Sequence, residues 1–576
     1  MARTSDLDRV AMVVLRYMRR PVFVLVFVYA VGIFGMAAIP GVPQGGEPRY
    51  MSLFHAFYFF TYTATTTGFG EIPGDFSDEQ RLWAIVCLYF GVIAWLYAIG
   101  SMIGLIQNPH FVSALNERRL ARMVRRIAQP FYVMCGFGDT GSLLARGLSD
   151  HYLGAVVLDI DEERIKALAL RDYNIRMPGL CADASVPKHL LDAGVQEPNC
   201  KAVLILTGDE DVNLKIAIMA RYLNPQVRII CRSSSTPHQE YLQDLGGVTV
   251  IDPFEVLARL VTMAITKPRL QNLNRWLVRA RGIELGHPLI LPKGRWLLCG
   301  FGRMGKSLHE HFVSDGIETC VLDAKADHRE TDGEVMTNDA DYRTLQEGGV
   351  EQAVGIVAGT DLDSTNLGIL MGARRLNPGI FTVVRQNSHE NQPVFDAAHA
   401  SYIAQTSLTT ARRFLKHLIS PLIQPLIEHL ERSELRLTET TVKRLQRMVG
   451  KEVPHLWQLC VCPADAAALC DRLAAGEPVR LQDVVRDPVD LKKSLSCAPL
   501  VLQRDGDLIM LPADDEPLKP EDVILLCGTE RSKRLLEASV NNRYTLHYLL
   551  TGVDSPRGYV FNWVTQRASR KAGRCA

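Results

Sequence analysis

The chain is short of the features that mark several large classes of protein. It has no charge bias, with 64 lysines and arginines against 63 aspartates and glutamates and a formal charge of +1, which argues against a nucleic-acid binder. Its thirteen cysteines are odd in number and contain no C-x-x-C pair, a usage that fits a reducing cytosol. Cys135 and Cys299 sit inside apolar runs as small core residues. No metal-ligand spacing is evident, and His55 reads as a packed helix residue rather than a ligand. Charge itself is missing from two long stretches, the 19 residues from Pro21 to Ile39 and the 25 from Leu82 to Ile106. Each is long enough to cross a hydrocarbon core of about 30 Å. A signal peptide is the alternative for the first, but it is long for that role and a second run follows at once.

Arg16, Arg19 and Arg20 flank the first run, and Arg118, Arg119, Arg122, Arg125 and Arg126 lie beyond the second. Between the runs, Glu47, Glu71, Asp75, Asp78 and Glu79 outnumber Arg49 and Arg81. The positive-inside bias therefore places both termini in the cytoplasm of a multi-pass protein of the cell (inner) membrane. Between the spans, Met51 to Thr63 is too short to cross and too apolar for a free loop, so it is expected to enter the bilayer and return. Such backbone is tolerated only where protein or a water-filled cavity surrounds it. One pair of spans cannot enclose a cavity, so an oligomer is implied.

The re-entrant segment leads into Thr65-Thr66-Thr67-Gly68-Phe69-Gly70. Threonines and paired glycines suit a backbone whose carbonyls replace the water shell of an ion, although an isolated T-x-G-F-G could also be an ordinary turn. With its flanks, Thr63-Ala64-Thr65-Thr66-Thr67-Gly68-Phe69-Gly70 resembles the T-A-T-T-V-G-Y-G filter of two-span potassium channels. The resemblance implies K+ coordination by Thr66, Thr67, Gly68 and Phe69, with Gly70 closing the row, in a homotetramer within the lipid bilayer. Three positions depart from the pattern: Phe69 replaces tyrosine, Thr67 replaces valine, and Glu71 stands where aspartate is commoner. In the second span, Gly91 falls near the family's gating hinge, and Leu96 below it is a candidate constriction; close helix packing is the alternative for Gly91, Gly100 and Gly104.

The remaining chain repeats itself. Phe131-Tyr132-Val133-Met134-Cys135-Gly136-Phe137-Gly138-Asp139-Thr140-Gly141 returns as Arg295-Trp296-Leu297-Leu298-Cys299-Gly300-Phe301-Gly302-Arg303-Met304-Gly305. Each copy is an apolar strand, then G-x-G-x-x-G, then a helical pattern, and each is followed by a strand ending in an acid, Asp159 or Asp323, 21 residues after Gly138 or Gly302. These glycines allow a tight turn, close approach of a pyrophosphate and close helix packing, while the acid suits a ribose hydroxyl. Thr207, Asn213 and Arg232 recur as Thr360, Asn366 and Arg385 at a constant offset of 153. The matched halves resemble RCK domains, the regulators of potassium conductance, over roughly residues 130 to 540.

The expected fold is a membrane α pore domain with a re-entrant pore helix, two Rossmann-like α/β RCK domains and a small α+β C-terminal lobe. The expected divisions are 1–20 (cytoplasmic N-terminus), 21–107 (pore), 108–129 (linker continuing the second span) and 130–280 (first RCK domain, without a lobe). They continue as 281–294 (connector), 295–450 (second RCK domain and crossover helices), 451–540 (lobe) and 541–576 (basic tail). The resemblance implies a gating nucleotide held at Gly136, Gly138, Asp139, Thr140, Gly141, Asp159, Asp183, Thr207 and Arg232. The second copy supplies Gly300, Gly302, Arg303, Met304, Gly305, Asp323, Asp339, Thr360 and Arg385. Asp159 and Asp323 would repel a 2′-phosphate, so NAD(H) or ADP/ATP fits better than NADP.

Calcium is the alternative ligand. The acids that calcium-gated relatives cluster after the fifth strand are missing at Arg232-Ser233-Ser234 and Arg385-Gln386-Asn387, which leaves Asp209, Glu210 and Asp211 as its candidates. A pore that also passes sodium competes at the level of selectivity. An NAD-dependent dehydrogenase would need a substrate domain with an acid or base beside the nicotinamide, and nothing in the sequence supplies one.

Overall fold

The structure is a computed structural model describing residues 5–44, 47–72, 74–277, 289–324, 334–336, 340–450 and 454–553. The chain divides into two compact bodies, Met1–Arg126 and the chain from Ile127 onward, with Asp192–Gly194 counted in the first.

In the first body, helix α1 (Ser5–Ala38) is followed by a hairpin of β1 (Pro40–Gln44) and β2 (Glu47–Tyr50), then α2 (Leu53–Ala64), α3 (Asp78–Ile106) and α4 (Pro109–Val124). Among the described residues, two helices are long and apolar enough to cross a membrane, Val14–Ala38 and Asp78–Ile106. Expecting the first span to open at Pro21 misses that α1 runs through this proline from Ser5. Proline forfeits only one N–H, a loss that membrane helices tolerate. The linker does not continue α3: the helix ends at Ile106 and α4 starts afresh at Pro109, because a residue preceding proline is steered away from helical backbone. Ser77 and Gln80 form a capping box at the start of α3, and Gln80 Nε2 also donates to Ile39 O at 3.1 Å, tying α3 to the end of α1.

The second body begins with strands β3 (Phe131–Cys135), β4 (Gly154–Asp159), β5 (Gly179–Cys181), β6 (Cys200–Ile205), β7 (Arg228–Arg232) and β8 (Val248–Ile251). Helices α5 (Asp139–Asp150), α6 (Glu162–Leu170), α7 (Pro187–Asp192), α8 (Glu210–Leu223) and α9 (Thr236–Asp244) alternate with them, followed by α10 (Pro253–Thr266) and α11 (Pro268–Trp276). The sheet is wholly parallel in the order β5-β4-β3-β6-β7-β8, a doubly wound nucleotide fold.

The second copy repeats that order in β9 (Trp296–Cys299), β10 (Thr319–Leu322), β11 (Glu334–Met336), β12 (Gly355–Ala358), β13 (Phe381–Gln386) and β14 (Tyr402–Gln405). Its helices are α12 (Arg303–Ser314), α13 (Tyr342–Glu347), α14 (Asp363–Leu376), α15 (Gln392–Ala397) and α16 (Thr406–Ile419). The crossover helices that follow are α17 (Ile423–Arg432) and α18 (Leu435–Val449). The lobe is an antiparallel sheet of β15 (His455–Cys460), β16 (Cys497–Arg504), β17 (Asp507–Met510) and β18 (Val523–Gly528), with α19 (Ala467–Ala474), α20 (Leu481–Val484), α21 (Glu530–Asn541) and α22 (Arg543–Thr551). Asp505 and Gly506, both at positive φ, make the turn between β16 and β17.

Parallel sheets need cover on both faces. Here each copy takes part of its cover from the other. Ala411 and Phe414 of α16 lie in the core of the first sheet with Met134, Leu144 and Leu148, and Phe254, Leu257 and Val261 of α10 lie in the core of the second with Trp296, Leu308 and Phe312. The fit is close, since a Cβ on Gly147 of α5 would stand 2.9 Å from the Leu415 side chain. A third core joins α11, α17 and α18 to the lobe sheet through Trp276, Leu426, Leu445 and Leu525. Phe414 is fully buried, so Phe414→Ala is expected to cost about 3–5 kcal/mol. The loss should appear as reduced amide-exchange protection in β3 and β4, far away in sequence; unchanged protection there would contradict the exchange of helices.

Candidate ion pathway and nucleotide sites

Thr65-Thr66-Thr67-Gly68-Phe69-Gly70 leaves α2 as irregular backbone, with positive φ at alternate positions, 61° at Thr66, 70° at Gly68 and 89° at Gly70. Neither Gly68 nor Gly70 has a neighbour within 4 Å of an added Cβ, so backbone conformation rather than space calls for glycine there. The row hangs from the end of α2, with Thr67 N donating to Tyr62 O at 2.8 Å and Thr66 N to Thr63 O at 3.1 Å. Its aromatic departure is accommodated: Phe69 stacks on Tyr58 with ring centres 6.4 Å apart and meets Tyr62 edge-on at 5.4 Å. A hydroxyl still braces the row, because Tyr62 OH donates to Gly70 O at 2.5 Å. Thr67 Oγ1 lies 3.1 Å from Thr65 Oγ1, and Glu71 binds Arg81 at 2.9 Å while accepting from Phe76 N at 2.8 Å.

Gly91 sits where α3 crosses α2, and a Cβ there would lie 3.1 Å from Ala64 Cβ and 3.2 Å from Phe60 Cζ. Helix α3 runs unbroken through it, and Leu96 is exposed. Reasoning from sequence missed Gly32 and Gly35 on α1, where a Cβ would collide with Phe60 at 2.1 Å and Trp83 at 2.3 Å. Trp83 Nε1 also donates to Gly32 O at 3.1 Å. The overlooked signal was a pair of small residues one helical turn apart, which lets aromatic side chains approach the backbone closely.

The two fingerprints have matching geometry. Gly136 and Gly300 adopt φ of 100° and 96° at the tight turn. A Cβ on Gly141 or Gly305 would lie 2.3 or 2.1 Å from the carbonyl oxygen of Gly136 or Gly300, which fixes strand against helix. Between them, Gly138 and Gly302 cap α5 and α12 without a side-chain hydrogen bond; the space above Gly302 is open, and the nearest neighbour above Gly138 is Arg164 Nη1 at 3.7 Å. Helix N-termini with free N–H groups suit a phosphate. Asp139, Thr140, Arg303 and Met304 occupy the first turns of these helices, with Thr140 and Met304 buried.

Each terminal acid is already hydrogen-bonded to its glycine loop. Asp159 Oδ2 accepts from Phe137 N at 2.5 Å and Oδ1 from Asp161 N at 2.8 Å, and Asp323 Oδ2 accepts from Phe301 N at 2.6 Å. Arg164, unnoticed in the sequence, lies 3.7 Å from Asp159 and 3.3 Å from Asp161. Thr207 and Thr360 are held by buried amides. Asn213 Oδ1 accepts from Thr207 Oγ1 at 2.6 Å while its Nδ2 donates to Arg232 O at 3.1 Å, and Asn366 repeats both bonds to Thr360 and Arg385 at 2.8 and 2.9 Å. Asp183 accepts from Ser185 N at 2.7 Å; Asp339 and the tail residues Arg567, Arg570, Lys571 and Arg574 lie outside the described residues.

The arginines join the two copies. Arg303 donates to Ser234 Oγ at 2.7 Å and lies 5.0 Å above the ring of Phe254, while Arg385 pairs with Asp361 at 2.8 Å and faces the same ring at 5.3 Å. Burial holds the Arg232 guanidinium below its ordinary pKa despite the nearby Glu210. In return, His389 N donates to Asp139 Oδ2 at 3.4 Å, so each fingerprint meets the loop after the fifth strand of the other copy.

The calcium candidates do not converge. Asp209 caps α8, Glu210 accepts from Ser233 Oγ at 2.7 Å and Ser234 N at 3.0 Å, and Asp211 pairs with His238 at 3.0 Å. Among the described residues, Cys460, Cys462 and Asp465 do bring potential ligand atoms within 4.8 Å of one another, a C-x-C spacing that a search for C-x-x-C passes over.

The TrkA-N domain model matches residues 132–253 and again 296–406, and the ion channel model matches residues 22–108. The chain thus carries an ion channel region followed by two TrkA-N domains. Potassium channel protein 1 of Methanocaldococcus jannaschii is 24% identical over 204 residues, covering 35% of this chain and 59% of that protein. The voltage-gated potassium channel Kch of Escherichia coli is 24% identical over 227 residues, covering 38% of this chain and 52% of its own length. The chain thus spans little more than half of these curated relatives, which are channels rather than enzymes. A solved structure described as the GsuK channel bound to NAD is 16% identical, covers 92% of this chain and 99% of that chain, and superposes with a TM-score of 0.45.

Two glycine substitutions separate folding from binding in the second copy. Gly302→Ala meets open space and is expected to leave thermal unfolding within about 1 kcal/mol of wild type while weakening nucleotide binding at that site at least tenfold. Gly305→Ala forces a carbonyl contact at 2.1 Å and should lower stability and binding together. Calorimetric titration beside thermal unfolding checks both; equal effects of the two substitutions would contradict the assignment.

Proposed function

We propose that the chain forms a homotetrameric potassium channel in the cell membrane, with both termini cytoplasmic, gated by an adenine nucleotide, NAD(H) or ADP/ATP, held at its RCK fingerprints. The observation that carries the pore reading is the Thr66–Gly70 backbone, with glycine at two of its three alternating positive φ positions and a brace from Tyr62 OH. Four such rows around an axis would supply rings of carbonyls that replace the hydration shell of K+. Nucleotide gating is supported by the acid at the end of each second strand. Asp159 and Asp323 already hold the amides of Phe137 and Phe301, so a ribose hydroxyl bound to either carboxylate is bonded to the same group that sets the shape of the phosphate loop. Ligand and loop conformation are thereby linked, and a nucleotide that favours one loop shape shifts the gating equilibrium by its difference in affinity. Gly91 and Leu96 are the proposed bend and constriction.

In purified protein reconstituted into bilayers, the reversal potential should follow the potassium gradient in mixed potassium and sodium, and Gly68→Ala should abolish or corrupt that selectivity. Equal passage of both ions in the wild type would favour the unselective pore, and a stable monomer or dimer by mass in detergent would sink the tetramer. Asp159→Ala with Asp323→Ala is expected to weaken nucleotide binding and the nucleotide dependence of open probability together by roughly ten- to a hundredfold, leaving single-channel conductance unchanged. Unaltered nucleotide sensitivity, or control by calcium alone, would show the ligand to be wrongly assigned.

A further inference from the structure

Away from both fingerprints, a cavity of about 220 Å³ lies among α10, α11, β14, α16 and α17. Among the described residues its walls carry five cationic side chains, Arg259, Arg275, Arg412, Arg413 and Lys416, and one acid, Glu255. The acid is committed elsewhere, bonded to His311 at 2.8 Å and accepting from Ser307 at 3.2 Å. Arg259 is neutralised by Glu428 at 3.2 Å and by Glu431. The charge of Glu428 also reaches Arg413, whereas the charges acting on Lys416 are all cationic. Lys416 donates to the neutral Asn274 Oδ1, and Arg413 to the neutral Gln424 Oε1, while Arg412 stands at the exposed rim.

Arg413 and Lys416 lie three residues apart on one face of α16, where like charges repel. Burying cations against amide oxygens instead of carboxylates is unfavourable, and the groups register it: burial and the neighbouring arginines pull the Lys416 amine down to about 7, and burial with Arg259 pulls Arg413 down to about 10. Strongly perturbed groups in a cleft mark a candidate functional site. Gln271, buried on the same wall, has an Oε1 without a hydrogen-bond partner; rotation of that amide would present its NH2 to an anion.

We propose that this cavity is a second ligand site, separate from the fingerprints, that takes a compact phosphate-class polyanion. Guanidinium forks match phosphate oxygens, and a lysine adds a point charge. Size sets the class: at about 30 Å³ per water, the volume holds about seven water-sized groups, enough for a pyrophosphate and too few for a dinucleotide. Occupancy would fasten α16 to α10 and α11, the helices through which the two copies cover each other, and so stiffen the second body.

The test is thermal unfolding of the full-length detergent-solubilised protein with inorganic phosphate, pyrophosphate or ADP, at ionic strength matched with sodium chloride. Pyrophosphate is expected to stabilise saturably, and to do so equally in the Asp159→Ala, Asp323→Ala double variant. Lys416→Met and Arg413→Gln should each weaken that stabilisation at least tenfold. Because Lys416→Met removes a cation that meets a neutral amide and neighbouring arginines, it should unfold no earlier than wild type without ligand, which separates lost binding from misfolding. ADP that stabilises the double variant and loses this effect in Lys416→Met would make the phosphate tail of a nucleotide the natural occupant. Absence of saturable stabilisation, its survival in both cavity variants, or its loss in the fingerprint double variant would overturn the proposal.

Discussion

The second body depends on a reciprocal loan of helices. A doubly wound sheet is apolar on both faces and cannot leave one open to water, yet in each copy the helix following the sixth strand departs to the opposite copy. Phe414 fills the first core and Phe254 the second, so neither sheet is complete without a segment encoded far from it. The other contacts between the copies sit on this frame. Arg303 on Ser234, His389 on Asp139 and the paired arginines above Phe254 have fixed geometry because the crossing helices set the distance between the fingerprints.

Within that frame, a few polar groups do two things at once. The carboxylate that would hold a ribose also holds the amide of the glycine loop, and the amide of Asn213 or Asn366 ties the threonine after the fourth strand to the carbonyl of the arginine on the fifth. A strand end, a loop and a ligand position thus share single side chains. The Thr65–Gly70 row is built in the same way, with Tyr62 supplying its carbonyl to two amides of the row and its hydroxyl to Gly70.

Much of this was legible in the sequence because local chemistry dictates it. Charge-free runs, a glycine-threonine row and a repeated strand-loop-helix with a terminal acid each express a constraint contained in a short window, and the constant offset between Thr207 and Thr360 carried the duplication further. What escaped depends on partners distant in the chain. Nothing near Arg303 announces Ser234, nothing near Phe414 announces the sheet it completes, and Gly32 acquires its meaning from Phe60 and Trp83. The basic cavity escaped for the same reason: Arg259, Lys416 and Gln271 lie on three helices and mean little apart. Helix ends were misjudged where one proline was read as a beginning, at Pro21, and another was not read as a break, at Pro109.

The loan of helices also has a consequence in time. The last strand of the first sheet ends at Ile251, whereas the helix that completes its core ends at Ile419. A ribosome adding about 5–20 residues per second would take roughly ten to thirty seconds over the interval. Throughout it, the nascent first copy carries an uncovered apolar face, formed by α5 and its neighbours, of the kind chaperones bind, while α10 already projects toward a sheet not yet made. The order of synthesis therefore makes the earlier half wait for the later one, and the two copies become stable together.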